Sequence, residues 1–352
     1  MGQEKKARGP KKSGNVTLRA VAEHVGLTPG TVSAVLNNAP SSRSIPQRTK
    51  NRILTAAREL NYRPNFFAQS LRKKKTYTVG LIVEEIGDAY GSMVISGVEQ
   101  YLQQKNYFFL TVVHRHNPDL LQRYSQILME RGVEGFITVD MQLREAPSLP
   151  TVAVAGHKAF AGVTNIVLDH QHAARVALRH LLELGHREIA FMKGQPFSSD
   201  SAERWSAICE AARELQLEIK PELTVQIDID DPTPQLGYPF AKQLLDRGKP
   251  FTALFAYNDI SAIGAIRAFQ ESGLSVPKDI SVVGFDDIQG AAYNTPSLTT
   301  VRQPLVRMGA IAAEILLARI EGREEYPAQI AIEPELIIRE STGALSSSRQ
   351  AP

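Results

Sequence analysis

The 352-residue chain reads as multi-domain: a small N-terminal all-α head carrying a helix-turn-helix, then an α/β core of two lobes built on parallel sheets. Three observations predict this. Two short helical segments flank a glycine between residues 16 and 36. From residue 78 onward, short apolar runs alternate with helix-period segments, and the alternation restarts after a loop at 156–163. Finally, the charge is split. Residues 1–75 hold 16 Lys/Arg against 3 Asp/Glu, leaving 24 against 34 for the rest, within a net charge of +3. A basic segment on an acidic body is the electrostatic footprint of a nucleic-acid-binding head on a regulatory body.

Residues 1–14 are rich in Lys, Gly and Pro and predict a disordered basic tail that adds non-specific phosphate attraction. The head follows over 15–63. Leu18, Val21, Ala22 and Val25 fall at i, i+3, i+4, i+7, one apolar helix face. Gly26 stands where a left-handed residue stops a helix. Thr28 caps the next helix and Pro29 takes its first position, where a missing N–H costs nothing. Val32, Val35 and Leu36 supply its apolar stripe. An ordinary helical hairpin is the rival reading, but the surrounding positive charge favours a helix that enters the DNA major groove. Residues 37–46 predict a polar loop, and 47–60 a third helix with Ile53, Ala56, Ala57 and Leu60 on one face. Over 64–75, Asn65 caps a segment of about two helical turns, too short to be stable alone.

In the core, strands are expected at 79–83, 108–113, 135–139 and 151–155, with helices over 92–104 and 118–130. After the loop come strands at 165–169, 188–192, 224–229, 252–256 and 280–286, with helices over 173–184, 202–215, 235–247 and 260–272. Such alternation builds parallel sheets covered by helices on both faces. The expected lobes are 76–162 with 303–322, and 163–302 with 323–343. Residues 344–352 form a loose tail without a leucine heptad, so no tetramerising coiled coil is expected.

Several classes are excluded. No apolar run approaches the 18 residues of a membrane span, and the basic N-terminus has no apolar segment behind it, so a cytoplasmic protein is expected. The single cysteine, Cys209, suits the same compartment. No nucleophile–base motif, Walker loop or dinucleotide fingerprint is present, so neither an enzyme nor a cofactor is expected. His114-x-His116 and His170-x-His172 could share strand faces, but no third ligand stands at useful spacing, and no metal is expected.

The chain resembles the LacI/GalR family of bacterial transcription regulators over about residues 15–343. The motifs are VTLRAVAEHVGLT…TVSAVLN (16–37), ELNYRPN (59–65), AQSL (68–71), ELGHREIAF (183–191), AERW (202–205), NDISAIGAIRA (258–268) and VPKDISVVGFDD…TPSLTTVRQP (276–304). The resemblance implies a head, a hinge helix, and a core of periplasmic-binding-protein type that dimerises and binds a small effector between its lobes. It further implies a nucleoid-associated homodimer on a pseudo-palindromic operator of double-stranded DNA.

By position, the resemblance places Thr17, Thr28, Thr31, Ser33, Asn37 and Tyr62 on DNA phosphates. Such contacts fix register without reading sequence. Capping and surface polarity are the alternative account, and for some of them, Thr28 included, the right one. Asn65, Ala68 and Leu71 fall in the hinge, with Leu71 matching the leucine that wedges into the minor groove; a linker leucine packed on the core is the alternative. One departure matters. The positions that usually read bases are Pro29, Gly30 and Ala34, none of which has a side-chain donor or acceptor. Specificity is therefore expected from hinge insertion, DNA deformability and the 37–46 loop, with Arg43 or Arg48 as contributors.

For the effector, Arg204 near a helix start and Asp259 after a strand's carboxyl end are expected to face each other across the cleft, a forked pair that suits sugar hydroxyls or a purine-like ligand. A structural salt bridge is their alternative. Asp88, Tyr90, Ser198 and Asp200 join them by motif position. Trp205 is expected in the core. The combined expectation is a repressor controlled by a sugar or sugar derivative. A solute-binding receptor without gene regulation shares the core but not the basic head.

Overall fold

The computed structural model describes residues 16–64, 70, 73–115, 117–141, 143, 147–323 and 325–345. The expected tails, and Asn65, Ala68 and Leu71 of the hinge, lie outside the described residues except for 344–345. The chain divides between Thr76 and Tyr77 into two units.

The first unit contains α1 (Leu18–Val25), α2 (Pro29–Leu36) and α3 (Gln47–Glu59). Thr17 caps α1 by accepting from the Ala20 N–H, and Gly26 ends it at φ 66°. Thr28 caps α2 by accepting from the Thr31 N–H at 3.2 Å. Val21, Ala22, Val25, Val32, Val35, Ile53, Ala56 and Ala57 meet in one small core. The fully buried Ile53 is its anchor from α3, and truncating such a side chain costs ~2–5 kcal/mol, serious for so small a unit. Arg52 donates from Nη2 to the Val25 carbonyl at 3.0 Å, tying α3 to the end of α1. The stretch expected as a plain loop contains a 3-10 turn, Pro40–Ser44, with Ser42 buried.

The second unit holds two six-stranded sheets. Its elements are β1 (Thr78–Val83), α4 (Ala89–Gln104), β2 (Phe108–Val113), α5 (Pro118–Glu130), β3 (Phe136–Val139), β4 (Thr151–Val154) and β5 (Val163–Leu168). Then come α6 (His170–Glu183), β6 (Ile189–Lys193), α7 (Ser199–Glu214), β7 (Thr224–Gln226), α8 (Tyr238–Asp246), β8 (Ala253–Phe255) and α9 (Asp259–Glu271). Last are β9 (Ser281–Asp286), α10 (Gln289–Tyr293), β10 (Thr299–Arg302), α11 (Leu305–Ile320), β11 (Gln329–Ile332) and β12 (Glu335–Ile337). The first sheet runs β11-β5-β4-β3-β1-β2, all parallel. The second runs β12-β10-β9-β8-β6-β7, parallel except for the β10/β12 pair.

The expected lobe boundary needs correction. Residues 163–168 were assigned to the second lobe, yet β5 pairs with β4 and β11 in the first sheet. β11 likewise belongs to the first sheet, not the second. Renewed alternation after a loop marks the next strand–helix unit. It does not say whether that unit's strand adds to the old sheet, and every residue of β5 is buried, which suits either. The chain therefore passes between sheets three times: after β5, after β10 and after β11.

In the first lobe α4 and α11 pack together through Val94, Val98, Leu102, Leu305, Met308, Ala312 and Leu316. Gly97 faces the Val306 carbonyl and Gly309 the Val94 carbonyl, so a Cβ at either would force the helices apart. The second lobe buries apolar residues on both sides of its sheet. No helix of the described residues is long and apolar enough to cross a membrane.

Candidate functional site

In the head, α2 turns Pro29 and Gly30 fully outward and leaves Thr31, Ser33, Ala34 and Asn37 half-buried. Its polar side chains are ordered among themselves. Thr28 and Thr31 share a hydrogen bond between hydroxyls at 2.9 Å, and Asn37 donates from Nδ2 to the Ser33 carbonyl at 2.8 Å. Tyr62 is half-buried against the head's core, and burial pushes its hydroxyl pKa up. Thr17 is exposed. Thr28, Thr31, Ser33 and Asn37 lie on α2 or at its caps, whereas Thr17 caps α1 and Tyr62 follows α3.

A cleft lies between the carboxyl ends of the two sheets' strands in the core unit. Its first-lobe wall carries Glu84, Glu85, Asp88, Tyr90 and Asp140; its second-lobe wall carries Ser198, Asp200, Arg204, Tyr257 and Asp286, with Asp230 and Asp231 at the rim. Strand ends supply these residues for a simple reason. Side chains at the carboxyl ends project beyond the sheet, where the following helices start and backbone N–H groups are free to face a ligand.

Arg204 is the centre of the second-lobe wall. It sits one turn into α7, 4% exposed. Its guanidinium lies 3.8 Å from the Phe285 ring centroid and 4.6 Å from that of Tyr257. Nη1 donates to the Tyr257 carbonyl at 2.5 Å, and Nη2 stands 3.3 Å from Asp200 Oδ2 and 4.0 Å from Asp286 Oδ1. A flat cation clamped between rings with two carboxylates at its edge is a rigid polar platform. Asp286 ends β9 at φ 109° and accepts from Gln303 Nε2 at 2.6 Å. Burial, opposed by Arg204, pushes its pKa up to about 7.

Asp200 behaves oppositely. Burial works to raise its carboxyl, but His170, His157 and Arg204 together hold it well below the usual carboxylate range. His157 Nε2 is hydrogen-bonded to Asp200 Oδ1, and His170 Nε2 lies 3.4 Å from the same oxygen. Burial works against the charged form of His157, yet the Asp200 bond raises its pKa overall. Ser198 Oγ bonds Tyr257 Oη at 2.8 Å and reaches Asp140 Oδ2 at 3.4 Å, a second link between the lobes.

The first-lobe wall is acidic throughout. Burial and the neighbouring Asp140, Asp230 and Asp88 push Glu84 up to about 9. Burial raises Asp88 to about 6, against the pull of the Gly91 N–H that its N-cap side chain accepts. Tyr90 presents a buried hydroxyl that has no hydrogen-bond partner among the described residues.

Five of the six expected cleft residues, Asp88, Tyr90, Ser198, Asp200 and Arg204, line this space. Asp259 does not. It begins α9 fully buried, accepting from Thr300 Oγ1 at 2.5 Å and from the Ile288 N–H at 2.8 Å. Its neighbours Asn258 and Ile260 line the cleft instead. A helix-starting Asp just past a strand can turn toward the ligand or back into the sheet, and the Thr300 hydroxyl draws this one back. The carboxylates facing Arg204 are Asp286 and Asp200. Asp286 carried a legible signal, a charged residue ending the apolar run SVVGF, that spacing arguments overlooked. His157, Asp140, Glu84 and Tyr257 carried none, because only the crossing of two sheets brings them together.

His157, His170 and Asp200 place one ligand atom each within 4.8 Å of one another, the group that could hold a metal. His170 belongs to it; its expected companion His172 does not, nor does His114. Asp200 also shares its carboxylate with both imidazoles and Arg204. Trp205 packs in the second-lobe core, edge-on to Phe191.

Comparison with known proteins adds independent findings. Residues 17–65 match the family model of bacterial regulatory proteins, lacI family, and residues 178–342 match a periplasmic binding protein-like domain. The HTH-type transcriptional repressor PurR of Proteus mirabilis is 33% identical over 334 residues, covering 92% of this chain and 96% of the relative. The lac repressor dimer bound to operator and the anti-inducer ONPF superposes with a TM-score of 0.84 at 26% identity, covering 94% of this chain and all of that one. A complex of the regulator CelR with cellobiose superposes with a TM-score of 0.68 at 28% identity, covering 93% of this chain and all of that one.

Proposed function

The chain belongs to the LacI family of bacterial regulatory proteins, and from that premise we propose that it acts as a homodimeric repressor on a pseudo-palindromic operator, controlled by a sugar-like effector. It is a DNA-binding transcriptional regulator and not an enzyme. The observation that carries the effector reading is Arg204, held between Phe285 and Tyr257 at the floor of a cleft that both lobes line. Forked hydrogen bonding of this kind suits vicinal hydroxyls. Relatives point the same way, since one solved structure holds cellobiose and another, from Enterococcus faecium, holds ribose.

In this reading Asp88, Tyr90, Ser198, Asp200 and Arg204 contact effector, with Asp286 in the place first assigned to Asp259. Thr17, Thr28, Thr31, Ser33, Asn37 and Tyr62 hold phosphates, while Pro29, Gly30 and Ala34 face the groove without hydrogen-bonding side chains. Asn65, Ala68 and Leu71 belong to the hinge, where Leu71 wedges the central base step. Effector and operator then affect each other's binding reciprocally, by about 1–3 kcal/mol.

The test is binding to the duplex upstream of the chain's own gene against an unrelated duplex of equal length, across a salt series. Tighter binding to the native duplex, with a steep negative slope of log affinity on log salt, is expected. Absence of binding to either at low salt would overturn the reading.

A further inference from the structure

His170 gains in the fold the companions that its spacing to His172 did not supply. The two lobes bring His157 and Asp200 to it, and one ligand atom of each residue lies within 4.8 Å of the others. His157 comes from the segment after β4 in the first lobe, with its backbone in a left-handed conformation at φ 54°. His170 starts α6 and Asp200 lies in the first turn of α7, both in the second lobe. The side chains of His157, His170 and Asp200 are only 12%, 8% and 6% exposed.

His170 Nε2 stands 3.4 Å from Asp200 Oδ1, near the long limit of a hydrogen bond. The same separation is the edge of a tetrahedral metal site, where bonds of about 2.0–2.2 Å set neighbouring ligand atoms about 3.4 Å apart. No other hydrogen-bond partner of this imidazole is found among the described residues, and its Nδ1 is buried without one. A buried polar ring so weakly satisfied is the kind of group that a bound ion explains. His157 Nε2 is hydrogen-bonded to the same Oδ1. An ion among the three takes the place of that hydrogen, and the ring moves back to coordination distance. The other oxygen, Oδ2, stays 3.3 Å from Arg204 Nη2, a partner that fixes the carboxylate's orientation. Arg204 repels a cation here, while Asp140 and Glu203 favour positive charge at His157.

We propose that His157 Nε2, His170 Nε2 and Asp200 Oδ1 bind a divalent transition-metal ion of the zinc class across the two lobes, leaving a fourth position to water. Two imidazoles and a carboxylate suit zinc, nickel or cobalt. They are too few and too rich in nitrogen for magnesium or calcium, which take oxygen. Because the ligands come from both lobes, the ion binds the closed core more tightly than an opened one and stabilises it. Asp200 also lines the cleft, so an ion on Oδ1 changes the field felt there. The metal site itself does not depend on what the cleft takes.

The experiment uses the full chain, stripped with a chelator and dialysed. It is titrated with ZnCl2, NiCl2 and CoCl2 by calorimetry and thermal denaturation, with MgCl2 and CaCl2 as hard-ion arms. One zinc per chain is expected, bound tenfold or more tighter than either hard ion, with a rise in Tm that saturates at one equivalent. Cobalt is expected to show the strong visible absorption of a tetrahedral site in place of the weak spectrum of the hydrated ion. His157→Gln and His170→Gln are each expected to weaken zinc binding tenfold or more and to remove the Tm rise. His172→Gln, on α6 but outside the cluster, is expected to bind as the wild type does.

Melting of each metal-free variant shows that it folds. Should His170→Gln lose its cooperative transition, the more exposed His157→Gln decides alone. Zinc bound equally by the wild type and His157→Gln, or bound no tighter than calcium, would overturn the proposal. The operator assay keeps this apart from the broader reading: loss of zinc binding leaves the regulator intact, and loss of specific DNA binding leaves the metal site intact.

Discussion

His157, on the segment after β4 in the first lobe, is hydrogen-bonded through Nε2 to Oδ1 of Asp200, in the first turn of α7 in the second. The bond joins the walls of the cleft beside Arg204, and its strength depends on the imidazole's charge. Asp140 and Glu203 also favour the imidazolium, while burial opposes it. Because the folded pKa lies above 6.5, this stabilisation is fully present below about pH 6.5 and is lost as pH rises through the folded value. The raised carboxyls act in the same direction. Asp88, Asp286 and Glu84, at about 6, 7 and 9, hold protons more tightly folded than unfolded, so each ionisation on raising pH weakens the closed core. Chemical denaturation of the free protein should therefore show stability falling from pH 5 to pH 9. His157→Gln should make the fall shallower around neutrality. A flat profile in the wild type would contradict the arrangement.

Arg204 offers a sharper test of the cleft. Arg204→Lys keeps the charge but loses the planar fork and the stacking on Phe285. Asp200 and Asp286 would then compete for one ammonium. Effector affinity should fall by roughly 30-fold or more, about 2 kcal/mol. Operator binding by the effector-free variant should stay unchanged, because the head is built from its own core. Parallel titrations of effector and operator measure both. A lysine variant with normal effector affinity would remove Arg204 from the site.

The contrast between Asp259 and Asp286 shows what could be read from the chain and why reading stopped. Strand and helix identities were legible because apolar runs and helix periods are local. So were Thr28, Pro29 and Gly26, whose capping roles are set by immediate neighbours. Arg204 was reachable because it stands near a helix start, and Asp200 through its motif position alone. Asp259 follows one buried strand and Asp286 ends another, and only the position of Thr300 in β10 decides that Asp259 turns inward. The assignment of β5 failed similarly, since its sheet is chosen by pairing with β4 and β11. His157 was invisible, because its partner lies on another lobe.

Asp259 is thus a structural residue, and its substitution should separate folding from response. Its two oxygens accept from Thr300 and from the Ile288 N–H, joining α9 to β10 and to the start of α10. Asp259→Ala strands both donors in a dry environment, at about 1–3 kcal/mol each. Burial also pushes this carboxyl well above its ordinary pKa, so the neutral Asp259→Asn should be tolerated much better than alanine. Urea denaturation should rank wild type close to asparagine and well above alanine. The folded asparagine variant should keep its effector response. If it lost that response without losing stability, Asp259 would return to the cleft.

The exposed start of α2 makes a prediction about DNA. Glycine at position 30 costs helix stability, and nothing inside the head demands it, since an added Cβ would meet only Thr28 Oγ1 at 3.9 Å. Gly30→Ala should raise the stability of the head by up to about 1 kcal/mol. In the proposed reading, where Pro29, Gly30 and Ala34 face the groove without a side chain to read a base, Gly30 lets the helix backbone approach the duplex. The added methyl should then weaken operator binding even as it strengthens the fold. Thermal denaturation and fluorescence anisotropy on the same preparation would show the two effects moving in opposite directions. A stabilised head with undiminished affinity would mean that α2 stands back from the groove, leaving specificity to the hinge and to the segment around Arg43 and Arg48.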